Sequence, residues 1–145
     1  VFAVGTTGGA EAVPVAVWLE SQFAVVWQVG SSVLLKPLNA LGQPDGEFAT
    51  GADQYVLKSG GAAAHNLVAG TAGALGVVAV WEEGSPGATV LKGAFMSASA
   101  TTATPLTFEL PHPPGSGALS QASVAAYETL VDNTTLEAGF HVVYT

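Results

Sequence analysis

Val77-Val78-Ala79-Val80-Trp81 is the stretch on which the reading of this chain turns, because it has two counterparts. Phe23-Ala24-Val25-Val26-Trp27 precedes it and Phe140-His141-Val142-Val143-Tyr144 follows it. Each run is apolar apart from His141 and is closed by a large aromatic. Short runs rich in β-branched residues, bounded by Gly, Ser and Pro, read as strands, and near-continuous apolarity marks strands covered on both faces. Recurrence of one strand in similar surroundings marks a single structural unit used repeatedly.

The flanks of the three phrases align. A first strand precedes each: Val15-Ala16-Val17-Trp18, Asn66-Leu67-Val68-Ala69 and Ser123-Val124-Ala125-Ala126-Tyr127. A third follows a Gly/Ser turn, as Val33 to Leu38 after Gly30-Ser31-Ser32 and as Thr89 to Phe95 after Gly84-Ser85-Pro86-Gly87, with a Leu-Lys pair in both. Glu47-Phe48-Ala49 and Thr107-Phe108-Glu109-Leu110 read as short fourth strands, and Val1-Phe2-Ala3-Val4 as the closing strand of a preceding unit. The expected organisation is one repeat-built β region over 1–145. A closing strand at 1–4 is followed by units over 14–50 and 65–110 and a partial unit over 122–145, so the chain reads as a piece of something longer. Four antiparallel strands in about 40–55 residues is the size of a β-propeller blade. The expected fold is therefore all-β, made of four-stranded antiparallel propeller-like blades, with a β-sandwich as the alternative.

The stretch from Phe23 to Thr50 resembles bacterial extracellular β-propeller-like repeats that accompany repeat-in-toxin, calcium-binding regions in large secreted and surface proteins. The residues carrying the resemblance are the Phe23 to Trp27 strand, Leu35 to Leu38, the turn Asn39-Ala40-Leu41-Gly42-Gln43-Pro44, and Gly46-Glu47-Phe48. The second unit keeps its Trp strand without the Gly-x-Pro turn. The resemblance implies a structural or adhesive module outside the cell, not a catalyst.

Composition narrows the function classes. Hydrophobic residues make up 49% of the chain and charged residues 10%, against about 25% charged in an average soluble protein. Three lysines and no arginine face eleven acids, for a net charge of −8. Nucleic-acid binding needs clustered cations to displace counterions, so that class is set aside, as are anionic membrane surfaces. No apolar stretch approaches the roughly 20 residues of a spanning helix, so membrane insertion is not expected. The absence of cysteine excludes disulfides, thiolate metal sites and thiol catalysis.

Candidate chemistry is sparse. His65, His112 and His141 are far apart in sequence, whereas a metal site wants convergent ligands. Glu82 and Glu83 point to opposite faces of a strand, so they form no dyad for acid–base work; they read as a solvated turn, and Glu20 stands apart from both. Asp45, Asp53 and Asp132 are scattered, and no calcium loop or Gly-x-Ser-x-Gly elbow occurs. No cofactor is expected. Asn133-Thr134-Thr135 matches the N-glycosylation sequon, and Trp18, Tyr55 and Tyr127 are candidate aromatics for a sugar platform. The expected function is a noncatalytic extracellular repeat module whose partners are neighbouring blades or other subunits of an assembly. The alternatives are a carbohydrate-binding module that takes glycans on those aromatics, and an incomplete segment of a propeller enzyme. Trp27, Trp81 and Tyr144 read as packing between units.

Overall fold

A computed structural model of the chain describes residues 14–44, 46, 48–71, 73–85, 88–111, 122–132 and 135–145. The closing strand expected at 1–4 lies outside them, as do Asp45, Glu47, His112 and Asn133. The described chain is all-β. Strands β1 (Val15–Trp18), β2 (Phe23–Val29), β3 (Ser32–Leu38) and β4 (Tyr55–Lys58) form one antiparallel sheet in sequential order. Strands β5 (Ala64–Thr71), β6 (Gly76–Glu83), β7 (Val90–Ser97) and β8 (Leu106–Glu109) form a second of the same kind. Strands β9 (Ser123–Asp132) and β10 (Thr135–Val143) make an antiparallel hairpin. The described sheets do not close into a ring.

The three sheets pack face to face in chain order, with β1 against β5 and β5 against β9. Alternation along the repeated phrase explains how. In β6, Val77, Ala79 and Trp81 join Val26, Leu35 and Leu57 in the core between the first two sheets, while Val78 and Val80 face the hairpin. In β10, Phe140, Val142 and the following Tyr144 pack towards the second sheet. In β2, Ala24 and Val26 face the second sheet, whereas Phe23, Val25 and Trp27 lie in a separate buried cluster on the far side. The first, third and fifth positions of the phrase therefore point back along the chain in all three units, and the second and fourth point forward. Covered on both sides, β6 is buried at every residue, which is why its sequence shows no polar alternation.

The turn at Asn39 is held by backbone and side-chain hydrogen bonds together: the Asn39 N–H donates to the Gln43 carbonyl and the Gly42 N–H to the Asn39 carbonyl, both at 2.9 Å. Asn39 Oδ1 accepts the backbone N–H groups of Leu41 and Gln43, both at 2.9 Å. Its Nδ2 donates to Gln43 Oε1 at 3.0 Å. Gly42 completes the turn at φ 75°, a left-handed backbone that costs a side-chain-bearing residue energy.

The fourth strand of the first sheet is Tyr55–Lys58, later than the Glu47-Phe48-Ala49 that the repeat alignment picks. After Pro44 the chain folds back over the end of β3, so closely that a Cβ on Gly46 would lie 2.3 Å from the Leu38 carbonyl carbon. Phe48 is thereby directed into the core as a plug against Tyr55, with ring centroids 5.3 Å apart, and the Ala49 N–H donates to the carbonyl of Ala98, just past β7, at 2.8 Å. The edge of β3 is left for Tyr55-Val56-Leu57-Lys58, which turns Tyr55 and Leu57 inward and Val56 outward.

Candidate functional site

Two of the chain's three lysines converge on one glutamate between the first two sheets. Lys58 ends β4, Glu83 ends β6 on the face that carries Trp81, and Lys92 lies directly opposite Trp81 on β7. Period-2 geometry places Trp81 and Glu83 on one side of the strand, and the Trp81 indole N–H donates to Glu83 Oε1 at 2.8 Å. Lys58 Nζ stands 3.4 Å from the same oxygen, and Lys92 Nζ 3.2 Å from Oε2. Lys58 also donates to the carbonyls of Ser31, Gly60 and Ala62 at 2.7, 2.5 and 2.9 Å. It thus ties the β2–β3 turn to the segment that leads from the first sheet into the second. The group borders a cleft of about 470 Å³ whose rim includes Val56, Ser59, Gly60 and Thr107.

Burial pushes the Glu83 carboxyl up. The Trp81 and Lys92 hydrogen bonds and the charges of both lysines outweigh it and hold the carboxyl below its ordinary value. The carboxylate is therefore ionised at neutral pH, with both oxygens engaged by donors. That arrangement suits clamping two sheets together better than moving a proton. The Lys58 side chain is almost fully withdrawn from solvent, whereas that of Lys92 is about one-third exposed and lines the cleft.

Glu82 and Glu83 were expected in a solvated turn. Both are instead buried members of β6, because the strand runs two residues past Trp81. They do point to opposite sides. Glu82 lies across from His65 on β5 and borders a separate small cavity with Asn66 and Thr89. Sequence reasoning missed the Lys58–Glu83–Lys92 group. Its one local signal is an acid two residues after a strand Trp in a chain poor in cations.

The three candidate sugar-platform aromatics separate. Tyr55 is 1% exposed, packs in the core between the sheets and shares a hydrogen bond with the Thr50 hydroxyl, so it presents no ring to a ligand. Trp18 is 45% exposed and lies against Phe23, with centroids 4.6 Å apart. Tyr127 is 39% exposed and lies 4.7 Å from the His141 ring. Trp18 faces away from the second sheet at one end of the stack and Tyr127 at the other, so they form no common platform. Trp81 and Tyr144 pack between sheets, as expected of them, and Trp27 is buried on the far side of the first sheet; its indole N–H has no partner among the described residues. His65 and His141 lie in different sheets. Among the described residues no three His, Asp or Glu side chains are placed to hold a metal ion, and no helix is long and apolar enough to cross a membrane. Comparison with known protein families, with curated proteins and with solved structures finds no match.

Proposed function

We propose that this chain is a noncatalytic structural or adhesive module that acts outside the cell, a run of propeller-like blades within a larger surface or secreted assembly. The observation that carries the reading is the common orientation of the repeated phrase: the second and third units direct Trp81 and Tyr144 at the preceding sheet, and Trp27 takes the same side of the first, so units of this kind add in series. The buried charged group supports it, since its contacts join one sheet to the next. An acidic composition and the resemblance of Phe23 to Thr50 to extracellular repeats support the location.

The test is a broad panel of chromogenic hydrolase substrates, run beside adhesion of chain-coated beads to cells. The expected result is bead adhesion with no turnover above buffer. Turnover that Glu83→Gln abolishes in a folded chain would overturn the reading. Exposure of Trp18 beside Phe23 favours sugar binding as the second function, and a glycan array decides it: binding that Trp18→Ala removes supports that alternative.

A further inference from the structure

The second and fourth positions of the repeated phrase have one fate in the first two sheets. Ala24 and Val26, then Val78 and Val80, are fully buried under the sheet that follows. In the hairpin the same positions are His141 and Val143, and Val143 is 67% exposed. They share a face with Ser123, Ala125, Tyr127 and Gly139, their cross-strand partners and neighbours. Across this face the Tyr127 ring lies over Gly139, where a Cβ would meet the phenol oxygen at 2.8 Å, and packs beside the His141 ring.

From this continuity with the two interfaces already inside the chain, we infer that the outward face of the β9–β10 hairpin is a docking surface for a further antiparallel β-sheet. The occupant is specified by what covers the equivalent faces: Val77, Ala79 and Trp81 over the first sheet, and Phe140, Val142 and Tyr144 over the second. It is a sheet whose strand presents apolar residues at its first and third positions and an aromatic at its fifth. On the corresponding face of this chain's own first sheet, the equivalent positions Val25 and Trp27, with Leu34 and Leu38, are already buried within the single chain. A head-to-tail second copy therefore does not supply the cover. The inference rests on the serial-module reading but fails separately from it, because that reading falls on turnover and this one on packing.

The test appends a second copy of residues 64–110 to Thr145 of the full chain through a short flexible linker. Docking predicts protection of the appended amides from hydrogen exchange and a rise of several degrees in unfolding temperature, both removed by Val143→Asp. The exposed position of Val143 means that V143D leaves the unextended chain's unfolding temperature unchanged, which shows that the variant folds. Two results overturn the inference. One is an appended segment that exchanges freely with the unfolding temperature unmoved. The other is a face-to-face dimer of the unextended chain, seen by sedimentation and dissociated by V143D.

Discussion

At the scale of residues, Glu83 is the charge on which the contact between the first two sheets depends. Removing one partner of a buried ion pair leaves the other uncompensated, at a cost of about 3–5 kcal/mol when burial is complete. Glu83→Ala, which strands Lys58, is expected towards the lower end of that range in denaturant unfolding. Lys92→Met should cost only about 0–1 kcal/mol, because its side chain is partly solvated. Equal losses in the two variants would contradict the assignment of Lys58 as the buried partner. A pH dependence follows from the lowered Glu83 carboxyl. A group whose folded pKa lies below its unfolded value stabilises the fold above the unfolded value, and that contribution disappears as pH falls through the folded one. Stability should therefore drop between the ordinary glutamate range and more acidic pH, and Glu83→Gln should flatten the drop. An identical pH profile in the variant would refute the proposed cause.

Among the elements, the turn at Asn39 and the short strand β4 show what strand-level reading captures. Asn39-Ala40-Leu41-Gly42-Gln43-Pro44 is legible as a turn because its chemistry is local: the Asn39 side chain caps groups two and four residues ahead. Asn39→Ala is expected to cost about 1 kcal/mol, since each hydrogen bond is worth roughly 0.5–1.5 kcal/mol net and water replaces part of the loss at an exposed turn. A chemical-denaturation midpoint unchanged from the parent would show that the turn is held by other means. Strand β4 lies later than the repeat alignment expects because two segments, at Phe48 and at Tyr55, are both apolar enough to pair with β3. Their choice is made by the fold-back at Gly46 and by core space beside Tyr55, neither of which has a local signature. The recurrent Leu-Lys pair misleads in a similar way. Lys92 lies across from Trp81, but Lys36 lies across from Val25, so the two lysines differ in register against their phrases.

Across the whole molecule, repeated strands covered on both faces were legible from a phrase of five near-continuously apolar residues, whereas period-2 geometry tells which positions share a face but not which sheet that face meets. The inter-sheet charges were not legible, because Lys58 and Glu83 belong to different sheets and meet only once those sheets stack. Trp81 is where the two scales join: it fills the interface between the first two sheets and orients Glu83. Trp81→Ala should destabilise the fold by about 3–5 kcal/mol as a large core truncation. Val56→Ala, at an exposed site of β4, should fall within about 0.5 kcal/mol of the parent. Comparable effects in thermal unfolding would argue against a core between the sheets.

The second sheet presents Val77, Ala79 and Trp81 to the first sheet and Val78 and Val80 to the hairpin. Met96 reports on this arrangement directly. It is the sole methionine of the chain, fully buried, and lies across from Val77 on the same side of the sheet. Nuclear Overhauser effects from its labelled methyl group should connect it to apolar side chains of the first sheet, with Leu35, Leu57 and Tyr55 as the candidates from the shared core, and not to Phe140 or Val142. Effects to Phe140 or Val142 instead would place Met96 on the opposite face and contradict the order of the sheets.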